Sequence, residues 1–396
     1  MFLAALLTIS QLQALVAWSW APPLPLTTAK PKFRLQAFRD DETATSSSSS
    51  SRRQWMQTVL GTSAAALSIG LPSPANAAAD LVSSKAVCDT TVSVWQKNGR
   101  LVYLLGTAHV SAESAKLASE LVKDTIPSGV FVELDDKRVN GKSLATYLNG
   151  FPGQEGSKSR LIIPDISKLE KLETGSTDSV ESAGAVKDVA KVSKKKEGGG
   201  NPLTSVATAA LKKDIGGMYQ DIDDAGIKPG EEFINAINEG AKLGSAIVLG
   251  DQDVDVSLRH MAQALLKTDP KILMGGDEEL ARTMQQLSPS GNGFKEGGNL
   301  KDEAYKAEFT EFVEKVKTKE NVRIMMGQLK RLSLPLYDAL VGERDAYMAA
   351  GLNGLNELES IVAVVGIAHA DGIEANLQQN GWTAASPSCN KYKIRG

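Results

Sequence analysis

The sequence predicts an α/β fold, with a mixed and mostly parallel β-sheet flanked by helices, and three features support this prediction. Short apolar runs typical of buried strands alternate with longer segments of helical periodicity. Four of these runs end in a polar cluster. Two of the clusters share the pattern Gly-x-x-His, at residues 106–109 and 366–369, so the chain is predicted to contain two similar strand-and-histidine halves.

The first half is predicted to begin with a β-hairpin, because Asn98-Gly99 is a strong turn signal between two strand-like runs. Ser111 is well placed to cap a helix that has apolar residues on one face, and Pro127-Ser128-Gly129 stops that helix. The predicted elements are strand 89–95, strand 100–105, helix 111–124 and strand 130–132.

In the second half, helical segments surround two further apolar runs. The run at residues 361–365 is continuously apolar, which is typical of a strand covered on both faces. The predicted elements are helix 204–219, helix 231–243, strand 246–249, helix 256–266, helix 302–316, a helix containing 322–332, helix 334–352 and strand 361–365.

The composition bounds the size of the core and the class of partner. The chain has 396 residues, of which 42% are hydrophobic and 23% charged, so it can bury the core of one large or two small domains. Its formal net charge is -3 and its isoelectric point is near 5.8. Because there is no basic excess to neutralise phosphate groups, we expect no nucleic-acid partner.

The first 77 residues are predicted to be targeting signals and are excluded from the fold. Residues 1–19 resemble a signal peptide, and residues 20–50 resemble the plastid transit peptide of algae with secondary plastids. Residues 51–77 contain Arg52-Arg53, an apolar stretch and Ala75-Asn76-Ala77, which is the pattern of a twin-arginine export signal. The apolar stretch, about 13 residues, is shorter than the roughly 20 that span a bilayer, although a membrane anchor is the alternative. We therefore expect delivery to the thylakoid lumen without stable membrane insertion after processing.

Residues 78–396 are predicted to form the mature domain. A segment at about residues 174–200 is rich in Ser, Gly, Lys and Glu, and we predict that it is a disordered insertion, with a docking tail as the alternative. Cys88 and Cys389 lie near opposite ends of the mature chain. In an oxidising compartment they either form one bond that ties the termini together or remain two unpaired thiols.

The polar clusters that follow the four apolar runs are expected to form one site. Ligands of α/β sheets bind beyond the carboxyl ends of the strands, so residues just past each run should converge. The clusters are His109, Glu133 with Asp135, Asp251 with Asp253, and His369. In both histidine motifs the glycine is expected to permit a tight turn that directs the imidazole outward.

Two imidazoles with one or more carboxylates are suitable ligands for a divalent transition metal, with positions left open for water or substrate. Such a metal would lower the pKa of bound water and polarise a carbonyl, which suits hydrolysis. The third histidine of the chain, His260, lies beside Arg259 in a predicted helix. We expect His260 to be a partly exposed structural residue.

At these residues the sequence resembles the TraB/PrgY/GumN family, which includes the Tiki metalloproteases. The resemblance covers residues 100–380, and its motifs occur in the expected order. They are residues 105–111, residues 132–135 with Arg138, residues 250–253 with Leu258-Arg259, residues 342–345 with Met348-Ala349, and residues 364–369 with Gly372-Ile373. The family usually has arginine at the position of Gln252, and the insertion is also unusual.

The resemblance implies a split α/β fold shared with the erythromycin esterases and the haem-binding ChaN-like proteins (the EreA/ChaN-like fold). It also implies that His109, Glu133 and His369 are metal ligands or direct catalytic participants. Arg344 would be a supporting residue of the site.

The leading hypothesis is a metal-dependent peptidase or related hydrolase that acts on a peptide or protein substrate. His109, His369 and Glu133 would hold Mn, Co or Zn. A second carboxylate would act as general base, with Asp251 counted among the catalytic residues, and Arg344 would bind a substrate carboxylate or a developing oxyanion. The alternatives are a non-catalytic peptide-sequestering protein and a haem or tetrapyrrole binder. The sequence predicts neither the substrate, the metal identity nor the oligomeric state.

Overall fold

The computed structural model describes residues 81–150, 159–165, 201–269, 282 and 300–392, which all belong to one structural unit. The predicted targeting segments 1–19, 20–50 and 51–77 and the insertion at about 174–200 lie outside the described residues and stay predictions.

A seven-stranded mixed sheet forms the centre of the described fold, and its strand order is β4-β5-β3-β6-β2-β1-β7. Its strands are β1 (Val92–Lys97), β2 (Arg100–Thr107), β3 (Gly129–Val132), β4 (Leu161–Ile162), β5 (Ala246–Leu249), β6 (Ser360–Gly366) and β7 (Thr383–Ala385). The five consecutive strands from β4 to β2 are parallel to their neighbours, whereas β1 pairs antiparallel with both β2 and β7. The predicted mixed, mostly parallel sheet is therefore confirmed.

Helices connect and cover these strands. They are α1 (Ala112–Thr125), α2 (Asp136–Val139), α3 (Gly141–Gly150), α4 (Pro202–Asp224), α5 (Glu231–Leu243), α6 (Val254–Lys267), α7 (Glu303–Val316), α8 (Lys319–Leu332), α9 (Leu334–Tyr337), α10 (Glu343–Gly354) and α11 (Ile367–Gln379). As predicted, Ser111 caps α1, and its hydroxyl accepts a hydrogen bond from the Ser114 backbone N–H. The predicted helix 334–352 is confirmed as one continuous helical run, in which the residues between α9 and α10, Asp338–Gly342, form a π-helix.

Successive side chains of a strand point to opposite faces of the sheet, so the central strands contribute to two cores. On one face Val362 and Val364 of β6 pack with residues of α1 and α5. On the other face Ile361, Ala363 and Val365 of the same strand pack with residues of α10 and α11. The fully buried run predicted for this strand is thereby confirmed.

A third core lies beyond the carboxyl ends of the parallel strands. Apolar residues of α4, α6, α7 and α8 pack there against Ala108, Ile367 and Ala368, which belong to the two histidine motifs. This helical layer covers the edge of the sheet at which the polar clusters were predicted to meet. None of the helices in the described part of the chain is long and apolar enough to cross a membrane.

Cys88 and Cys389 form a disulfide, with their Cα atoms 5.6 Å apart. Of the two alternatives left open by the sequence, the structure therefore has the bond. The two cysteines are 301 residues apart in the sequence. In the chain-entropy account, a loop of that length stabilises the folded state by on the order of 5 kcal/mol.

Candidate functional site

The two Gly-x-x-His motifs lie side by side because β2 and β6 are adjacent and parallel. Thr107 is paired in register with Gly366, at the last residues of the two strands. A Cβ on Gly106 would lie only 3.0 Å from Cγ1 of Ile367. Glycine is thus needed for the close approach of the second motif to the first.

The prediction that glycine permits a tight turn in each motif is wrong. Neither Gly106 nor Gly366 is among the described glycines with positive φ, and Gly366 has φ -58° and ψ 137°. The second motif leads directly into α11, which begins at Ile367. His369 is consequently held in the first turn of a helix, whereas His109 lies in a loop between β2 and α1.

Two contacts from the start of α5 hold His109. The Gly230 N–H donates to the His109 carbonyl oxygen at 2.8 Å, and Gly230 has a left-handed φ of 77° that favours glycine. Glu232, in the first turn of α5, is 2.6 Å from His109 Nδ1. The other ring nitrogen, Nε2, is buried and has no hydrogen-bond partner in the part of the chain that the structure describes. It points toward Glu133, with Oε2 at 3.9 Å.

His369 is held in the same way by a different carboxylate. Its Nδ1 is 2.6 Å from Asp345 Oδ1, and its Nε2 is 3.4 Å from Glu133 Oε1. Arg344 Nη1 also lies 3.0 Å from this Nε2. Each imidazole therefore has a carboxylate on Nδ1 and presents Nε2 to one oxygen of Glu133.

The partner of His369 Nε2 depends on the charge of the imidazole. A guanidinium group has only donors, so the contact with Arg344 is a hydrogen bond only when Nε2 carries a lone pair. Burial lowers the pKa of His369, but the carboxylates of Glu133 and Asp345 outweigh burial and raise it to about 10. The charged imidazole would donate to Glu133 instead. The two charge states thus correspond to two different partners.

Glu133 is the carboxylate at the centre of the site. It follows β3, its Oε1 accepts from Arg344 Nη2, and its Oε2 accepts from the Gly366 N–H at 2.5 Å. Burial disfavours the charged form, but His369 and Arg344 hold the pKa of Glu133 well below its usual range. Glu133 is therefore a buried and ionised carboxylate.

Asp251 anchors two buried arginines. Arg344 donates to both of its oxygens, from Nε to Oδ1 at 3.0 Å and from Nη2 to Oδ2 at 2.6 Å. Its Oδ2 also accepts from Arg138 Nη2. Although burial acts in the opposite direction, Arg344 and Arg138 lower the pKa of Asp251. Arg138 in turn pairs with Asp135 at 2.5 Å. Negative and positive side chains thus alternate along a row, in the order Asp135, Arg138, Asp251, Arg344 and Glu133.

The buried centre contains more carboxylates than arginines. Five carboxylates and two arginines are buried here, which leaves an excess of three negative charges when all are ionised and both imidazoles are neutral. These residues are Glu133, Asp135, Asp251, Glu232, Asp345, Arg138 and Arg344. Burial raises the pKa of Asp345 to about 6, which reduces this excess in mild acid. Because buried net charge is costly, the centre favours additional positive charge, from protonated imidazoles or from a bound cation.

The prediction that Asp253 joins the site is wrong, because its side chain is 45% exposed, caps α6 and pairs with Lys137. The structure brings together the other residues assigned to the site: His109, Glu133, Asp251, Arg344 and His369, with Asp135 linked to them through Arg138. It leaves out His260, which pairs with Glu343 at 2.5 Å and has a side chain that is 12% exposed, as expected for a partly exposed structural residue. The roles of Glu232 and Asp345 were not predicted from the sequence. The position of Asp345 next to Arg344 could have indicated that Asp345 belongs to the site. Glu232 is 123 residues from His109 in the sequence, and no local pattern connects the two residues.

The donor types suit a divalent transition metal, although no group of three His, Cys, Asp or Glu side chains within the described ranges could hold one as it stands. Two ligands of one tetrahedral metal, each about 2.1 Å from it, lie roughly 3.4 Å apart. The distances from Nε2 to the Glu133 oxygens, 3.4 Å for His369 and 3.9 Å for His109, are close to this value. These two separations are therefore near those of metal ligands, and the Arg344 guanidinium lies against two of the same atoms.

Comparison with known proteins places this site in a family. An uncharacterized protein of Methanocaldococcus jannaschii is 29% identical over 286 residues, which are 70% of this chain and 53% of that protein. The chain thus spans about half the length of the curated relative it matches. The model of the TraB/PrgY/gumN family matches residues 92–386, a range that contains both histidine motifs, Glu133, Asp251 and Arg344. The chain belongs to the TraB/PrgY/gumN family.

Proposed function

We propose that the chain is a metal-dependent hydrolase, with peptide bonds as its expected substrate. One observation carries the proposal. Two imidazoles, each fixed by a carboxylate on Nδ1, present Nε2 to the two oxygens of Glu133, and Nε2 of His109 has no other described partner. Metal-binding histidines commonly donate their second ring N–H to a carboxylate in this way.

His109, His369 and Glu133 would hold Mn, Co or Zn. A metal bound by them would polarise a scissile carbonyl and lower the pKa of a bound water. The excess of buried carboxylates supports the proposal, because a divalent cation would offset most of it.

The other residues of the centre orient these donors. Glu232 and Asp345 would accept from Nδ1–H of the two imidazoles and so direct Nε2 toward a metal. Because the pKa of His369 is raised to about 10, its Nε2 would have to release a proton when a metal binds. Arg344 would stabilise the negative charge that develops on a substrate oxygen. Both oxygens of Asp251 accept from arginine and its pKa is lowered, so we assign Asp251 to the positioning of Arg344 and not to proton transfer.

Peptides are proposed as substrates on the resemblance to the Tiki metalloproteases, and the leader pattern supports delivery to the thylakoid lumen. The full chain would be stripped with a chelator and reconstituted separately with Mn, Co and Zn. We expect elemental analysis of the reconstituted protein to find stoichiometric metal. Mass spectrometry should show that only the reconstituted protein cleaves a mixed peptide library. Full cleavage by the metal-free protein would contradict the proposal.

The position of Arg344 against two of the proposed ligand atoms favours a second candidate, a protein that sequesters peptides without cutting them. The side chains of His109, Glu133, Arg344 and His369 are all 0% exposed, so a substrate reaches them only after the surrounding chain moves. On this hypothesis the same peptides would bind with unchanged affinity after chelation and be recovered intact. Peptide binding measured before and after chelation separates the two candidates.

Glu232→Gln is expected to weaken metal binding by about 10- to 100-fold without removing any proposed ligand. The amide no longer carries the charge that holds the Nδ1–H tautomer of His109, so Nε2 is a poorer ligand. The measurement is the affinity for Co²⁺ by titration calorimetry. Glu231→Gln is the matched control, because it removes the same charge from the same first turn of α5. Equal affinities for Glu232→Gln and the wild type would show that Glu232 does not position the ligand.

A further inference from the structure

The Arg344 guanidinium lies against the atoms that the proposed metal would use. Nη2 donates to Glu133 Oε1, and Nη1 is 3.0 Å from His369 Nε2. All three side chains are completely buried. A cation held at those two donor atoms and the guanidinium in its present place therefore exclude each other, both by volume and by charge.

Arg344 has a second anchor that does not involve the proposed ligands. Its Nε and Nη2 donate to the two oxygens of Asp251, at 3.0 and 2.6 Å. A planar guanidinium carries five N–H donors and pairs with a carboxylate through two of them. Arg344 can thus lose its contacts with Glu133 and His369 and still remain paired with a buried carboxylate.

The backbone on the amino-terminal side of Arg344 departs from regular helix. The π-helix Asp338–Gly342 ends two residues before Arg344, and Nη1 donates to the Leu340 carbonyl oxygen of this segment at 3.3 Å. Single π-turns within helices occur frequently at functional sites. The guanidinium is therefore linked to a segment of non-standard helix as well as to Asp251.

We infer that Arg344 occupies the metal position in the metal-free chain and withdraws onto Asp251 when a divalent cation binds. The inference rests on the proposed metal site and adds a role for this arginine, as an internal cation that competes with the metal. After withdrawal, Nη1 would no longer contact His369 and could donate to a substrate oxygen.

Substitution of Arg344 should tighten the binding of Co²⁺, measured on the full chain by calorimetry and by the visible absorption of the bound ion. If the open arrangement is populated in about one tenth of the metal-free molecules or less, removal of the competitor raises the apparent affinity by about tenfold or more. Arg344→Gln removes the guanidinium entirely. Arg344→Lys keeps one positive charge for Asp251 but lacks the planar fork, so it provides a second test if the glutamine variant folds poorly.

Arg138→Gln is the matched control. It removes another buried arginine from the same carboxylate, Asp251, but this arginine pairs with Asp135 and not with Glu133 or His369. Arg138→Gln raises the buried excess of negative charge as Arg344→Gln does, but leaves the proposed metal position occupied, so any gain that it shows measures the effect of charge alone. The inference is supported if both Arg344 variants bind Co²⁺ more tightly than Arg138→Gln does. It is overturned if the Arg344 variants bind no more tightly, or if all the variants gain equally, since the cause would then be net charge. If neither the wild type nor any variant binds Co²⁺, the proposed metal site itself fails, and the inference fails with it.

Discussion

Replacement of Glu133 by glutamine should abolish both metal binding and hydrolysis. Glu133 is the carboxylate that both imidazole Nε2 atoms face, and it also accepts from Arg344 and from the Gly366 N–H. Glutamine keeps the shape but loses the negative charge, so we expect metal affinity to fall by at least about 100-fold. Arg344 would lose one buried partner but remain paired with Asp251, so the free energy of unfolding should fall by about 1.5 to 3 kcal/mol, as for the loss of charge-assisted hydrogen bonds.

Two measurements check this expectation, metal titration and urea unfolding of the metal-free protein. Glu374→Gln is the control, because it makes the same charge change in a partly exposed ion pair with Lys319. The Glu374 side chain is 18% exposed and also accepts from Ser93, so stability should fall by no more than about 1.5 kcal/mol, while metal affinity should remain near that of the wild type. Wild-type metal affinity in Glu133→Gln would remove Glu133 from the ligand set.

The fold was predicted best where local signals are strong. The runs 130–132, 246–249 and 361–365 coincide with β3, β5 and most of β6, because continuous apolar runs bounded by polar residues allow few other structures. Helix α11 was not predicted, and it starts at the residue after β6 without a side-chain N-cap. Its start therefore lacks the signals on which sequence reading depends. The two-residue strand β4 was missed because so short a segment has no measurable periodicity.

The site was predicted in part, because parallel strands bring some of its residues together whatever the order of the strands. The carboxyl ends of parallel strands meet at one edge, so residues that follow the strands, such as His109 and Glu133, could be assigned to one centre. Strand order, which places β6 between β2 and β3, is set by long-range packing and could not be read from local patterns. The partners of the imidazoles depend on that packing, and Glu232 reaches His109 only because α5 begins beneath it.

The covering of the site by helices also depends on long-range packing. Residues of α4, α6, α7 and α8 form one core with Ala108 and Ile367, at the edge where the charges meet. Their helical periodicity predicts amphipathic helices but not the surface against which each helix packs. Burial by these helices in turn strengthens the interactions among the charged side chains, because charges attract one another more strongly in a site from which water is excluded.

His109→Ala should remove turnover and lower metal affinity by at least about 100-fold, since one of three proposed ligands is lost. His109 provides the sharpest single test of the proposal, because its Nε2 has no other described partner that would explain its orientation. The substitution also leaves Glu232 without its imidazole and opens a space beside Phe233, whose ring centroid is 5.3 Å from that of His109. We therefore expect a loss of about 2 to 4 kcal/mol in stability, measured by urea unfolding.

His260→Ala separates loss of a ligand from loss of an imidazole in general. His260 pairs with Glu343 and is the one histidine of the chain that lies outside the buried centre, so its removal should leave Co²⁺ affinity within about twofold of the wild type. Equal losses in the two variants would mean that Co²⁺ binds to histidines without selecting the site. Wild-type metal affinity and turnover in His109→Ala would mean that the unpaired Nε2 belongs to a structural histidine. In that case the paired motifs would serve to pack β2 against β6, with Gly106 and Ile367 in contact, and the reaction would have to be sought elsewhere in the chain.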